Sequence, residues 1–596
     1  MKIKKAKKRI QLITGLIVLF ALALASIPAS AQPGTNQPPP PTPLAAQASS
    51  TLYLPLITRQ VNTDLTIGAF EVTQATQNLN NTVSLVAGKP TVVRVYAQNN
   101  TADAISGVVV SISATRGGSN LPGSPMTSAA KSVTNSWSRS DLNTSFNFTL
   151  PTAWLTGSVT LQIRVDPNNT IPERDNANNL RTFAANFNSV PALDVKVVPI
   201  YYTDPGTQIT YPAASSGFLS AGVVKMFPIS SATVSERAAI GWSQNLRDGS
   251  AWSNLLRQIL TIKNADNAPA SQIYYGLVPF FSEDGFSTWF PSRGGIVGIG
   301  YVGLRVSVGL ADASNYGIFG SEIANHEFGH NLGREHSPCD APDPDLNYPY
   351  TGGLIGQHGL RVDRMTLYDP SIYVDIMSYC DPAWISDYTY QGLYNDQAAR
   401  GAMAPINQSA VESLLVRADL LEDGTIRIHP VYTFTGIPDA LPEESDYTVE
   451  LIDEQGAVIT SYPIQVLHAE EEEITIQALH AMLPAPEKPF ATLRITKKGE
   501  VLAVKNLTPT SQQPLEAPTI QASEQGAVLQ WSAADTPAVV RYTQDDGESW
   551  ATLAVDYLGG QLILDEQALP EGTLHFEIIL ADQAASSLAL DWENTR

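Results

Sequence analysis

Eleven residues near the middle of the chain, from His326 to His336, constrain its fold more than any other stretch. His326 and His330 are four residues apart, so on a helix their side chains lie one turn above each other, with Glu327 beside them. Gly333 then allows the left-handed turn that ends a helix, which would bring His336 to the same point. Three neutral imidazoles are good zinc ligands and leave a fourth position open for water, as in catalytic zinc sites. The stretch therefore predicts Zn²⁺ held by these three histidines.

The same eleven residues match the pattern H-E-x-x-H-x-x-G-x-x-H without a departure, so residues 189–406 resemble a metzincin zinc peptidase domain. The family also has a methionine turn, which Asp375–Cys380 (DIMSYC) resembles, and this implies that Met377 is an apolar floor under the zinc. Tyr379 stands where astacins and serralysins carry a tyrosine near the metal. It is a candidate zinc contact and oxyanion donor, and the alternative is a packed structural tyrosine. The resemblance implies a zinc metalloendopeptidase in which Glu327 is the general base.

The chain has two cysteines, and each follows one anchor point of this zinc site by three residues. Cys339 comes after His336, and Cys380 comes after Met377. Because both anchor points would surround one ion, and because disulfides form in exported proteins, we expect a Cys339–Cys380 disulfide. Two alternatives remain open at this point: a pair of unbonded thiols, and Cys339 as the fourth ligand of a structural zinc site.

The first 31 residues have the organisation of a secretory signal peptide. Six basic residues within the first nine precede the apolar run Ile10–Ile27, and residues 29–31 are an A-x-A cleavage site. We expect cleavage after Ala31 and a secreted, extracellular product, the alternative being an uncleaved membrane anchor. No later apolar stretch is long enough to span a bilayer, so no stable membrane span is expected after cleavage. Residues 32–63 are predicted to be a Pro-rich linker.

The charge of the chain argues against a nucleic-acid partner. The formal charge is −22, and removing the six basic residues of the signal peptide takes it to −28. From Asn407 onward, 31 acidic residues stand against 9 basic ones, so the acidity is concentrated in the last third of the chain. We interpret it as a solubilising surface. The Asp-rich stretch Asp340–Asp345 is a candidate Ca²⁺ loop without a specific ligand spacing.

Apolar and polar residues alternate at period two in three regions, 64–188, 407–512 and 513–596, and each is predicted to be a β-sandwich. The segment Val165–Asn179 resembles the closing motif of the CARDB family of extracellular Ig-like modules. The first region is therefore expected to be CARDB-like, either as a removable prosegment or, as we favour, a permanent accessory. The last region weakly resembles a fibronectin type III module. The expected fold class is a multidomain chain with an α+β metzincin-like catalytic domain flanked by all-β Ig-like sandwiches.

Two further patterns in the middle region predict local structure. Helical spacing from Ser235 to Ala265 predicts a helix that buries Trp242 on its apolar face. The glycine-rich stretch Ile296–Gly303 predicts a strand. By resemblance it is an edge strand that pairs with extended substrate, and the alternative is a core strand.

The function expected from these residues is a secreted zinc endopeptidase acting on protein or peptide substrates. A second class is an extracellular adhesion or glycan-binding protein with an inactive metal domain, whose sandwich modules make the cell-surface or glycan contacts. The presence of Glu327 argues against an inactive site. A third class is another zinc peptidase clan, with a downstream glutamate ligand on a continuing helix. Gly333 and Met377 argue against it.

Overall fold

Strands account for most of the regular structure in this chain. The computed structural model describes residues 61–279, 295–312, 320–402, 409–469, 477–507, 516–523, 526–583 and 587–595. It is 43 % strand and 13 % helix. The predicted signal peptide and most of the predicted linker lie outside the described residues. The α-helices of the described part are α1 (Leu219–Met226), α2 (Gly249–Ala265), α3 (Gly320–Asn331) and α4 (Asp387–Ala402).

The expected fold class, an α+β metzincin-like catalytic domain flanked by all-β sandwiches, is therefore wrong. The chain is mainly β, with four helices in the described part. One physical reason lies between α3 and α4, where residues 332–386 form short strands and turns but no α-helix. Six prolines interrupt that stretch, and a proline removes a helical hydrogen bond and clashes with the preceding turn.

The first region is a sandwich of two main sheets, with β4 and β8 forming a separate two-stranded antiparallel sheet. One sheet has the order β1-β3-β9, and the other has the order β2-β11-β10-β5-β6 with β7 beside β5. Residues on β10 alternate between buried and more exposed positions, as expected when one sheet face is covered. The strands are β1 (Leu65–Thr73), β2 (Leu85–Val86), β3 (Val92–Asn99), β4 (Ile105–Val108), β5 (Val110–Arg116), β6 (Ser119–Asn120), β7 (Met126–Thr127), β8 (Lys131–Val133), β9 (Phe146–Thr149), β10 (Gly157–Val165) and β11 (Leu180–Asn188).

The middle region is built on a seven-stranded mixed sheet. Its main order is β13-β12-β16-β18-β17, and β14 and β15 also pair with β12. The strands are β12 (Leu193–Thr203), β13 (Thr210–Tyr211), β14 (Ala232–Glu236), β15 (Ile240–Trp242), β16 (Ile273–Val278), β17 (Gly298–Gly300) and β18 (Val306–Leu310). Four short strands follow: β19 (Gly359–Arg361), β20 (Thr366–Tyr368), β21 (Val374–Asp375) and β22 (Ala383–Trp384).

Helices cover both faces of this sheet. Strands β16 and β18 pair in parallel and are buried along their whole length, the pattern of a sheet covered on both sides. On one face, Ile259 of α2 lies against Gly276, where an added Cβ would be 3.1 Å from its side chain. On the other face, Phe328 of α3 packs edge-on against Tyr275 with ring centroids 5.2 Å apart. The sheet therefore fixes where α3, the helix of the histidine motif, lies.

The helix predicted from Ser235 begins later than expected. Residues 232–236 and 240–242 are strands that pair in parallel with β12, so Trp242 lies on a strand rather than on a helix face. The helix begins at Gly249, where the Asp248 carboxylate accepts a hydrogen bond from the backbone N–H of Ser250. Such a cap satisfies a helix-end N–H group that has no partner within the helix.

The last two regions are also two-sheet sandwiches, and each has its own apolar core. The strands of the first are β23 (Val411–Leu420), β24 (Ile426–Ile428), β25 (Tyr432–Gly436), β26 (Tyr447–Ile452), β27 (Val458–Ile464), β28 (Val466–Leu467), β29 (Gln477–Pro484), β30 (Thr492–Lys497) and β31 (Glu500–Asn506). Those of the second are β32 (Thr519–Ser523), β33 (Gly526–Gln530), β34 (Ala538–Thr543), β35 (Ala551–Tyr557), β36 (Gln561–Leu564), β37 (Gly572–Leu580) and β38 (Ser587–Asn594).

The first sandwich shares an apolar core with the middle region. Ala75, Val83 and Val86 of the sandwich belong to the same buried cluster as Phe328 and Met377. Hydrogen bonds accompany this packing, because Ala75 O accepts from the Trp384 indole at 3.0 Å and from the Leu360 amide at 2.8 Å. Both a permanent accessory and a removable prosegment could pack in this way, so the choice between them stays a prediction.

Candidate metal centre

The three histidines of the motif meet at one point. His326 and His330 lie one turn apart on α3, which ends at Asn331. Gly333 has φ of +77°, the left-handed conformation expected for a residue that turns the chain back after a helix. The turn brings His336 to the other two, so that one ring nitrogen from each histidine lies within 4.8 Å of the others. All three residues are buried, and together they could hold a metal ion.

Two of the imidazoles are held in the tautomer that a metal ligand needs. Nδ1 of His326 lies 2.7 Å from Ile376 O, and Nδ1 of His330 lies 2.7 Å from Arg334 O. A carbonyl oxygen only accepts hydrogen bonds, so both Nδ1 atoms carry the proton and both Nε2 atoms expose a lone pair. Burial holds the pKa of each ring well below its usual range, which keeps both rings neutral.

The resulting arrangement fits a cation. The Nε2 atoms of His326 and His330 are 3.0 Å apart. Since both are lone-pair acceptors in this tautomer, they cannot form a hydrogen bond with each other. A positive ion between them would attract both lone pairs and so offset their mutual repulsion. Backbone carbonyls that orient metal-binding imidazoles through the second ring nitrogen are a usual feature of such sites.

Glu327 lies beside the histidines in a space that two glycines leave open. Its side chain is fully buried. A Cβ added to Gly298 of β17 would lie 2.8 Å from Glu327 Cδ, and closer still to Oε1. A Cβ added to Gly300 would lie 3.3 Å from Oε2. The glycines of β17 therefore make room for this carboxylate, which explains why small residues occupy this strand.

Strand β17 is at the edge of the described sheet, as the resemblance implied. It pairs antiparallel with β18 on one side. Immediately after it, Tyr301 forms a single antiparallel bridge with Ala469 of the following sandwich. The residues of β17 are nevertheless buried, as the alternative of a core strand predicted.

The predicted methionine turn lies under the helix of the histidines. Met377 is 1 % exposed and contacts α3 at Gly329, where an added Cβ would be 3.0 Å from the methionine Cε and closer to the sulfur. Asp375 anchors the turn, because its two carboxylate oxygens accept from the amides of Met377 at 2.9 Å and Ser386 at 2.8 Å. The turn also presents Ile376 O to His326. Met377 and its neighbours thus support the metal ligands from below.

The predicted disulfide is confirmed. Cys339 and Cys380 are bonded, with Cα atoms 5.9 Å apart. The bond ties the segment after His336 to the methionine turn, and the Ser337 amide donates to Met377 O at 2.9 Å alongside it. Two earlier alternatives are excluded, since a bonded Cys339 is neither a free thiol nor the fourth ligand of a structural site.

Tyr379 lies beside the histidine cluster. It is 9 % exposed, and its ring centroid is 4.8 Å from that of His336 and 5.9 Å from that of His326. Its amide donates to Cys339 O at 3.2 Å. The ring also packs against buried neighbours, and its contact with a metal or an oxyanion stays a prediction.

The candidate calcium loop has one aspartate with an internal role. The Asp345 carboxylate accepts from the Tyr388 hydroxyl at 2.7 Å and the Asn347 amide at 2.8 Å, and Arg334 lies 3.5 Å away. These contacts hold the pKa of Asp345 below its usual range, against the opposing effect of burial. Calcium binding by Asp340–Asp345 stays a prediction.

Three residues around the site were not identified from the sequence. Asp375, Gly298 and Gly329 shape the centre through close approaches between segments that are far apart along the chain. Two of them lie in stretches that carried a signal in the sequence: Asp375 is the first residue of the predicted methionine turn, and Gly298 lies in the glycine-rich stretch Ile296–Gly303.

The chain matches no protein-family model and no curated protein. Solved structures similar to it include the CARDB domain of a Pyrococcus furiosus protein in complex with di-metal ions (17 % identity, 21 % of this chain, 94 % of that chain, TM-score 0.15). A second is a family 2 glycosyl hydrolase from Bacteroides cellulosilyticus (8 % identity, 87 % of this chain, 79 % of that chain, TM-score 0.16). A third is a tetra-tandem repeat from the extending region of a large adhesion protein (9 % identity, 89 % of this chain, 98 % of that chain, TM-score 0.13). TM-scores this low support no argument about the function of this chain.

Within the described ranges, no α-helix combines the length and apolar character needed to cross a membrane.

Proposed function

We propose that this chain is a secreted zinc endopeptidase that hydrolyses peptide bonds of extracellular proteins. The observation that carries the proposal is the convergence of three buried imidazoles with a buried carboxylate, Glu327, beside them. An all-nitrogen set of three ligands suits zinc, and it leaves room for a further ligand, as catalytic sites require. The likeness of the motif to that of metzincins supports the same proposal.

The residues that would hold the ion are His326, His330 and His336. Bound there, zinc would supply a Lewis acid that polarises the scissile carbonyl and lowers the pKa of water towards ~7. The Nδ1 hydrogen bonds of the first two rings keep their Nε2 lone pairs available for this purpose. The disulfide and the methionine turn hold the third ligand and the floor of the site in place.

Glu327 would act as the proton carrier. Its carboxylate takes a proton from the attacking water and then delivers it to the nitrogen of the leaving amine. Its backbone follows His326 directly on α3, so the helix that positions two ligands also positions the base. Tyr379 would donate a hydrogen bond to the developing oxyanion.

Replacing Glu327 by Gln tests the proposal. The change keeps the size of the side chain but removes its basicity, so zinc content should stay at one equivalent while casein hydrolysis falls by about 10²-fold or more. Glu335→Gln is the matched control, because Glu335 is in the same motif but exposed. Chelator-sensitive casein hydrolysis should be normal in the control. Wild-type turnover in the Glu327 variant would contradict the proposed mechanism.

The second candidate is an extracellular adhesion or glycan-binding protein with a catalytically inactive metal domain. The observation that favours it is the strand-rich architecture, in which three sandwiches make up most of the described chain. It predicts binding to cell surfaces or glycans without chelator-sensitive hydrolysis. Measuring both properties on the same preparation separates the two candidates.

Secretion after cleavage at Ala31 is part of the proposal. N-terminal sequencing of the product in the culture medium tests it directly. A mature protein beginning at Gln32 is the expected result.

A further inference from the structure

A cavity of about 380 Å³ lies where the middle region meets the last two sandwiches. Its lining comes from β15 and α2 of the middle region, from β23, β24 and β29 of one sandwich, and from β35 of the other. A volume in this range is typical of small-molecule sites. The histidine cluster contributes no residue to this cavity.

Positive charge is in excess around the cavity. Three guanidinium groups line it, those of Arg257, Arg417 and Arg427. Arg417 forms a two-pronged ion pair with Asp556, at 2.6 and 2.9 Å. Asp419, which is fully buried, is shared by Arg257 and Arg427, the latter at 2.5 Å. Within the described ranges, three positive charges at this cavity thus face two carboxylates, in a chain whose formal charge is −22.

Three buried nitrogen atoms of the lining have no hydrogen-bond partner among the described residues. They are Nε1 of Trp242, Nε of Arg417 and Nε2 of His480. The three residues are 7 %, 9 % and 8 % exposed. Buried polar groups are nearly always hydrogen-bonded, because leaving one unsatisfied is destabilising. The three residues that carry these atoms all line the cavity, so a ligand in it would lie next to buried polar groups that have no partner.

We propose that this cavity is a binding site for a small oxyanion, a carboxylate or a phosphate with one or two negative charges. The paired N–H donors of a planar guanidinium group match the oxygen spacing of both carboxylates and phosphates. The indole N–H and the guanidinium Nε–H can only donate, so they require an acceptor, which an oxyanion supplies.

The electrostatics of the neighbouring histidines agree with an anion site. Burial and the charges of Arg417 and Arg257 lower the pKa of His480 to about 3 and that of His429 to about 4. The part of each shift that comes from the arginines reflects a positive potential, and such a potential favours a bound anion.

Calorimetric titration of the full chain with sodium phosphate or sodium malonate, at constant ionic strength set with sodium chloride, tests the proposal. We expect saturable one-to-one binding of at least one anion. Binding of phosphate alone identifies a phosphate site, and binding of malonate identifies a carboxylate site. If neither anion binds saturably above the chloride background, the proposal is overturned.

Three variants locate the binding. Arg427→Gln changes a side chain that is 63 % exposed, so the fold should survive, and affinity should fall about tenfold from the loss of one charge-assisted hydrogen bond. Trp242→Phe removes the indole N–H together with one ring of the side chain and should also weaken binding. Arg364→Gln, an exposed change of the same charge remote from the lining, should have no effect. Equal affinity in wild type and Arg427→Gln would place any bound anion elsewhere, for example at the histidine cluster, and would overturn the proposal.

Discussion

Gly298→Ala should disable the centre without removing its metal. The new Cβ would lie 2.8 Å from Glu327 Cδ and closer to Oε1, whereas ordinary contact begins at 3.4 Å. The strand cannot easily retreat, because Gly298 pairs with Gly309 of β18. The carboxylate must therefore move by roughly 1 Å, and a misplacement of that size in a reacting group costs about 10²-fold in rate. The three atoms nearest to the new methyl group all belong to Glu327, so the three histidines should keep the ion.

The assay is chelator-sensitive casein hydrolysis, measured together with zinc content by elemental analysis. Gly300→Ala is the matched control on the same strand. Its Cβ would lie 3.2 Å from Ser307 Cβ and 3.3 Å from atoms of Asn331 and Glu327, gaps that shifts of a few tenths of an ångström can relieve. We expect the control to lose several-fold less activity than Gly298→Ala. Equal activity in the wild type, Gly298→Ala and Gly300→Ala would refute the conclusion that β17 positions the Glu327 carboxylate. Loss of zinc from Gly298→Ala would refute it too.

The other predictions concern stability and are measured by urea denaturation. Replacing Cys339 and Cys380 by Ser should lower the free energy of unfolding by about 4 kcal/mol, from the 41-residue separation that the bond closes; an unchanged midpoint would contradict this. Met377→Ala should lower the free energy of unfolding by about 2–5 kcal/mol, whereas Met377→Leu should lower it by less than about 1.5 kcal/mol. A similar loss in both variants would show that packing volume is not what the methionine provides. His480 has its folded pKa lowered to about 3 from 6.5, so the unfolded chain binds more protons between those values. Stability should therefore fall as pH drops from 6.5 towards 3, by up to about 1.4 kcal/mol per pH unit from this residue. His480→Gln should flatten that slope, and an unaltered slope would refute the assignment.

Local spacing predicted the centre well because its geometry is set within short distances along the chain. The four-residue separation of His326 and His330 and the turn at Gly333 need only helix geometry and one positive φ to bring the imidazoles together. The pairing of Cys339 with Cys380 followed from the same reasoning. Packing contacts between distant segments were not visible in the sequence, which is why the role of Gly298 against Glu327 was missed.

Fold class was predicted poorly because local patterns do not settle which elements dominate. Apolar spacing over 235–265 is compatible with a helix, yet residues 232–236 and 240–242 add strands beside β12. Tertiary pairing with an existing strand overrode the local preference there. The oxyanion cavity was equally hidden, since Trp242, Arg417 and Asp556 come from three separate regions of the chain.

The apolar cluster shared by the first sandwich and the middle region has an evolutionary consequence. Ala75, Val83 and Val86 are buried in the same cluster as Phe328 and Met377. Each part would therefore expose apolar residues to solvent if it stood alone. Moving this module into an unrelated protein would expose an apolar patch both on the module and on the domain that it left. A relative that has lost the module should carry compensating polar substitutions at the positions that face it here. The first sandwich and the middle region should therefore be inherited together, unlike modules that can be exchanged independently.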